Sequence, residues 1–177
     1  DKVILEEAST AAGDNISGQI LGFGTEALIR YHREPANNTL ERPVKNGAIA
    51  DYDMAKAMLR FFIAKSLHRS VSRPNVTIAI PVEISSVTRH ALVDALFHAG
   101  VQGVYLIPSP AAAAIGAGKA LNVPSATLSL VIGRGVSDLG NFRRGGTIVA
   151  GGHFIGRPQY HPHNRPPIPG PDKIQTR

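Results

Sequence analysis

The chain has 177 residues, 43% apolar and 18% charged, with a net charge of +6, which suits one domain of ordinary core size with at most a small satellite. It has no cysteine, which excludes a disulfide scaffold, a thiolate zinc site and a cysteine nucleophile, and no stretch approaches the roughly 18 apolar residues of a membrane span. The basic balance attracts phosphate-rich partners, yet the pairs Arg69/Arg73 and Arg143/Arg144 are too short for a nucleic-acid motif and lack interleaved aromatics.

Asp1 opens the chain without a methionine or a signal peptide, as expected of a processed chain or a fragment. Residues 2–5 (KVIL) read as a short strand, and residues 6–18 carry little pattern. Residues 19–24 suggest a strand leading to a turn. Thr25 is placed to cap a short helix over 26–31, and residues 33–45 read as a polar loop. Order then rises. Asp51 can cap a helix whose apolar series Met54, Ala57, Met58, Phe61 and Phe62 keeps to one face. Residues 66–75 are a basic loop. The apolar run 76–80 predicts a strand covered on both faces and stopped by Pro81.

Ser85 or Ser86 caps the next helix, whose inner face is Val87, Ala91, Leu92, Ala95 and Leu96, and Gly100 sits where a left-handed C-terminal cap belongs. Residues 104–107 predict another strand, and Ser109-Pro110 starts a slim alanine-rich helix. Residues 127–132 predict a further buried strand, followed by the turn Gly133-Arg134-Gly135 and a hairpin at Arg143-Arg144-Gly145-Gly146 before 147–150. Strands alternating with helix-length crossovers indicate an α/β fold, with 76–80, 104–107 and 127–132 in one mostly parallel central sheet. The last 22 residues hold six prolines, as in an extended tail. The organisation is therefore 1–45, a partial strand with a small irregular insertion; 46–155, the α/β core; and 156–177, a proline-rich tail.

Isolated constellations read plainly. His153, His161 and His163 belong to a polar tail, with no acid to complete a ligand set before Asp172. Pro166-x-x-Pro169 is a frequent pattern in such tails. Asp51 is a cap rather than an acid–base group, His90 and His98 lie away from the apolar helix face, and Gly116-Ala117-Gly118-Lys119 lacks the rest of a Walker loop. No serine lies in a nucleophile-elbow phrase.

Several phrases in fixed order carry more weight: Arg42-Pro43 leading to Asn46-Gly47-Ala48-Ile49-Ala50-Asp51, then Met58 to Ile63 (MLRFFI), Ile80-Pro81-Val82-Glu83-Ile84, and Tyr105-Leu106-Ile107 followed by Pro110 and the alanine helix. This run resembles the first large subdomain of MreB, the bacterial actin homologue of cell shape. The resemblance implies an actin-like ATPase (ribonuclease H-like) half-domain, with packed helices on its sheet. It also marks departures. The family's Asp-Leu-Gly-Thr phosphate hairpin would precede Lys2. Its two glutamates after the Tyr-Leu-Ile strand, the first suited to positioning water, fall on Pro108 and Ser109. Its magnesium aspartate falls on Val131, and its second phosphate loop on Gly133, Arg134, Gly135, Val136 and Ser137. Its second large subdomain is replaced by the tail.

The resemblance thus implies a nucleotide-binding fold turned pseudo-ATPase. No cofactor is expected where the family uses ATP and magnesium, and only weak anion binding at the phosphate-loop remnant. Expected partners are the chain itself or MreB-like filament subunits, with a cytoplasmic location. A weak contact with the anionic inner membrane through Lys65, Arg69 and Arg73 is worth about 1 kcal/mol per charge. A half-cleft should also leave the alanine helix bare and prone to self-association. Two other readings stay open on sequence alone: a degraded or frame-altered gene product without selected function, and a small basic anion- or nucleic-acid-binding module.

Overall fold

The computed structural model describes residues 3–67, 73–121, 124–144 and 146–153. The first unit is an antiparallel sheet of β1 (Ala11–Asp14), β2 (Ile20–Phe23) and β3 (Asn38–Glu41), in the order β2-β1-β3, with α1 (Thr25–Arg33) packed on it. The register slips between Ala12 and Gly13, so this small sheet is bulged. Residues 3–5 form no strand, and Val3 and Ile4 are exposed. An apolar run needs a neighbour to pair with, and none is present among the described residues. The polar loop expected over 33–45 instead carries β3 and the two-residue strand β4 (Val44–Lys45). Strands this short leave almost no alternation to read.

Thr25 is the first residue of α1 rather than its cap. Its N–H donates to Glu7 Oε2 at 2.7 Å. The same carboxylate pairs with Lys65 near the end of α2 (Tyr52–Ser66). The Lys65 hydrogen bond, followed by that of Thr25, holds the Glu7 carboxyl well below the usual range, at about 2. Lys65, expected to face an anionic membrane, is thus ion-paired with Glu7 while its side chain stays 47% exposed. Arg69 lies outside the described residues, and Arg73 is exposed before β6. No helix among the described residues is long and apolar enough to cross a membrane.

Asp51 caps α2 as expected, its side chain accepting from Met54 N at 2.9 Å. The helix uses more than one apolar face. Phe61 meets Phe23 of β2 at 5.6 Å between centroids, and Met58 is buried beside Ser9. Leu59 and Ile63 turn instead to the main core. That core is Ile80, Leu92, Leu96 and Val101, built from β6 (Asn75–Ile80), α3 (Ser86–His98) and the segment leading to β7 (Gly103–Pro108). Each large side chain buried there contributes about 1.5–3 kcal/mol. Ser85 caps α3, accepting from Thr88 N at 3.1 Å, and Gly100 ends it at φ 103°. Val87, expected on the inner face, is exposed near the first turn.

β6 and β7 pair in parallel from Asn75↔Gly103 to Ile80↔Pro108. The side chains of β6 alternate in exposure, so β6 is covered on one face rather than two. The third expected member of this sheet is elsewhere. β8 (Thr127–Ile132) pairs antiparallel with β9 (Ser137–Arg143), which pairs with β10 (Gly146–His153), in a separate sheet ordered β10-β9-β8. The four-residue turn after β8 is long enough only for a hairpin, and so dictates antiparallel pairing. Between the two sheets lies α4 (Ser109–Gly116), in contact with β6, β7, β8 and β9. Its Pro110, Ala111 and Ala114 are buried, so the alanine helix is not the bare surface the sequence suggested. On the neighbouring sheet the uncovered apolar side chains are Leu128 (69% exposed), Leu130 (60%) and Ile132 (56%), with Leu139 beside them on β9, while on α4 itself Ile115 is exposed.

Candidate functional site

Two tight turns meet on one side of the molecule. β4 and β5 (Ala48–Ile49) form a hairpin closed by Asn46-Gly47, with φ 52° and 73°. Positive φ at both positions is what a two-residue hairpin of this hand demands. Gly47 also lies against Pro81, where a Cβ would come within 2.2 Å of Pro81 Cγ. The second turn joins β8 to β9 and is closed by Gly133 N donating to Val136 O at 2.8 Å. Gly135 touches the first turn so closely that a Cβ there would lie 1.8 Å from Asn46 Oδ1. The sequence pointed to the second turn as a phosphate-loop remnant but did not show that Asn46 docks on it.

A cavity of about 590 Å³ opens beside this junction, lined among others by Ser9, Arg42, Lys45, Asn46, Arg134 and Gly135. Arg134 is exposed at its rim, and Arg42 is half-buried. Burial, and then the charge of Arg134, push the Arg42 guanidinium below its ordinary value. Neither arginine has an ion pair among the described residues, and the cavity lining contains no carboxylate. Arg42 precedes the fully buried Pro43, whose carbonyl accepts from Ala50 N and Asp51 N at 2.8 and 3.3 Å. The backbone carrying Arg42 is therefore fixed.

The three family carboxylate positions fall nearby in the fold. Pro108 ends β7 opposite Ile80. Ser109 begins α4 and donates its Oγ to Ile80 O at 2.9 Å, tying β6 to the helix. Val131 lies in register with Asp138 of β9. Asp138 is a carboxylate that sequence reading missed. It is 3% exposed, and its Oδ1 accepts from Val82 N at 3.1 Å in the loop after β6. Gly152 makes room for it: a Cβ there would lie 2.7 Å from Oδ1. The available signal was a lone acid inside a strand, where Asp is disfavoured. Asp138 is turned into the protein to hold the Val82 backbone. Pro108, Ser109 and Val131 offer magnesium no carboxylate, so these positions do not fit a magnesium–nucleotide centre. Among the described residues no three His, Asp or Glu side chains come close enough to hold a metal.

Other singled-out residues have local duties. Asp53 pairs with Lys56 at 2.8 Å. His98 Nδ1 lies 3.3 Å from Asp94 Oδ2 and 3.1 Å from the Tyr52 hydroxyl, which donates to Asp94 and so ties α2 to α3. That hydrogen bond pushes the half-buried Tyr52 phenol up to about 12. Gly118 and Lys119 close α4, with φ 72° at Gly118 and Lys119 N donating to Ala114 O at 2.9 Å. They are a helix C-cap and no phosphate loop. His161, His163, Pro166 and Pro169 lie outside the described residues.

With this geometry in place, the comparisons with known proteins fall into one pattern. The MreB/Mbl protein family matches residues 1–154. Over 149 residues the chain is 36% identical to the cell shape-determining protein Mbl of Bacillus subtilis, covering 84% of this chain and 45% of that protein. It is 32% identical over 139 residues to the cell shape-determining protein MreB of Escherichia coli, covering 77% of this chain and 40% of the other. The chain thus spans less than half the length of these relatives. Among solved structures, MreB5 of Spiroplasma citri bound to ADP superposes with a TM-score of 0.75 at 23% identity, over 85% of this chain and 45% of that one. The subunit of the MamK double helical filament gives 0.68 at 14% identity, over 85% of this chain and 47% of that one. At such identities these two likenesses establish the actin-like fold, and the family match adds kinship: the chain belongs to the MreB/Mbl family of cell-shape proteins.

Proposed function

We propose that this chain is an MreB-like cytoskeletal subunit that does not hydrolyse ATP and acts through protein contacts. The observation that carries the reading is the outer face of the β8–β9 sheet, where Leu128, Leu130, Ile132 and Leu139 stand bare. Exposed apolar side chains this close together mark contact surfaces. The occupant that fits is another MreB-like subunit, including a second copy of this chain. The MamK relative is seen as a filament.

The chemistry of the cleft supports the first half of the reading. Phosphoryl transfer relies on a bound metal to neutralise charge and on a placed group to orient the nucleophile. Val131, Pro108 and Ser109 supply neither. Gly133, Arg134, Gly135, Val136 and Ser137 keep a turn that can hold an oxyanion weakly, without turnover. A cytoplasmic location belongs to the same reading. A weak contact with anionic lipid through Lys65, Arg69 and Arg73 belongs to it too, with Lys65 half-exposed beside Glu7.

Sedimentation at a series of concentrations tests the contact surface. The expected result is concentration-dependent association that Leu130→Lys abolishes. A monomer at every concentration overturns it. A phosphate-release assay tests the chemistry. Background rates are expected, also after Val131→Asp, and steady turnover abolished by chelating magnesium would refute the proposal.

A further inference from the structure

The bare face of the β8–β9 sheet has a candidate partner in the chain itself. β10 ends at His153, which pairs with Ser137 of β9, which in turn pairs with Ile132 of β8. The chain therefore leaves the sheet in the same row as Ile132, two strand spacings or about 10 Å away. The next row is Leu130, Leu139 and Gly151. A Cβ on Gly151 would meet nothing within 4 Å, so the face is open on the side from which the chain departs. The β9 partners of Leu128, Leu130 and Ile132 are Asn141, Leu139 and Ser137. None of these carries a charge, so covering the face strips water from no ion.

Residues 154–177 lie outside the described residues, and the start of their sequence suits this face. Phe154, Ile155, Pro158, Tyr160 and Pro162 fall within nine positions of the strand end, with Arg157 the one Lys, Arg, Asp or Glu in the stretch. At about 3 Å per residue of extended chain the stretch reaches roughly 28 Å, against about 13 Å along β8 from Leu128 to Ile132. Phe and Tyr side chains each bring about 150–250 Å² of surface to bury. Proline has no N–H to leave unpaired against an apolar surface.

We propose that residues 154–162 lie across Leu128, Leu130, Ile132 and Leu139 of the same chain, as an internal cover that an incoming MreB-like subunit must displace. The cover rests on the reading of that face as a contact surface and adds its regulation. Because it is tethered to β10, it acts at a high effective concentration, and association is weaker than the bare face alone would give. Its hold is shared among the side chains of the face, so replacing one of them leaves most of it.

The chain has no cysteine, so disulfide trapping can place the tail. In the full chain carrying Leu130→Cys and Gln159→Cys, an intramolecular disulfide should form in dilute protein. Adding Phe154→Ser, Ile155→Ser and Tyr160→Ser keeps the tether and removes the packing, and should slow closure about tenfold, the scale of a few partly buried apolar side chains. An unchanged rate overturns the cover, because a loose tail would close as readily. A disulfide formed only between two chains also overturns it and gives the face to another copy's tail. In sedimentation, with no cysteine introduced, the three serine substitutions should tighten association about tenfold by the same reasoning, and Leu130→Lys should abolish it with or without them. Association that the tail substitutions leave unchanged or weaken overturns the cover while the subunit reading stands. A monomer at every concentration, with trapping as expected, overturns the subunit reading while the cover stands.

Discussion

The layer built on β6 and β7 and the sheet built on β8, β9 and β10 make opposite use of their apolar residues. In the first, Ile78 and Ile80 turn toward α2 and α3, while Thr77 and Ala79 stay outside. In the second, Leu128, Leu130 and Ile132 point outward, and Thr127, Ser129 and Val131 occupy the more covered face. The inner face of β8 must accommodate α4, and the buried alanines of that helix bring it close to the strands. Small inner residues suit that short distance, so the large ones are displaced to the outside. One region is a finished core, and the other leaves its large apolar side chains uncovered.

The largest expected effect tests the finished side. Leu96→Ala should cost about 2–5 kcal/mol in urea unfolding, because it empties a fully buried site. A loss below about 1 kcal/mol would mean that this core is no better packed than the other sheet. The joint between the regions comes next. Gly140 lies where a Cβ would approach Phe142 Cζ at 2.5 Å and Pro110 Cβ at 2.8 Å. Gly140→Ala should therefore destabilise by about 1–3 kcal/mol through overpacking, and a neutral result would show that α4 and β9 yield easily.

A smaller effect separates the N-terminal unit from both sheets. The Glu7 carboxyl is lowered from 4.5 to about 2. Its contribution is fully present above pH 4.5 and disappears as pH falls toward 2. Glu7→Gln should cost about 1 kcal/mol at neutral pH and flatten the acid limb of the stability profile; an unchanged limb removes Glu7 as its cause. Smallest of all, Leu130→Ser at low protein concentration should change unfolding free energy by less than about 0.5 kcal/mol. A cost near that of Leu96→Ala would erase the contrast between the regions.

Much of the framework was legible because it rests on local chemistry. Asp51 and Ser85 announced their helix starts, Gly100 announced a helix end, and the runs at 76–80 and 104–107 became a parallel pair. What stayed hidden depends on neighbours. The apolar run of β8 looked like that of β6, and nothing local states which sheet a strand joins or which face is covered. Ser109 could be read as a missing glutamate, but its bond to the Ile80 carbonyl depends on where β6 ends. Arg42 and Arg134 are 92 positions apart in sequence, so their shared cavity appears only once two turns touch. Asp138 gave a compositional hint, and its partner Val82 could come only from the fold.

The methyl-lined surface of α4 also has a mechanical meaning. Helices lock against neighbours when side-chain ridges sit in opposing grooves. Ala111 and Ala114 rise only one carbon above the backbone, so the teeth are shallow and each sliding step breaks few dispersion contacts. α4 should act as a bearing along which one sheet shifts relative to the other while both stay folded. We predict that hydrogen exchange in β8 and β9 proceeds through openings well below the global unfolding free energy, whereas β6 and β7 exchange only on global unfolding. Equal protection in both sheets would show a rigid joint. On this prediction the compliance of the molecule is written in its smallest side chains.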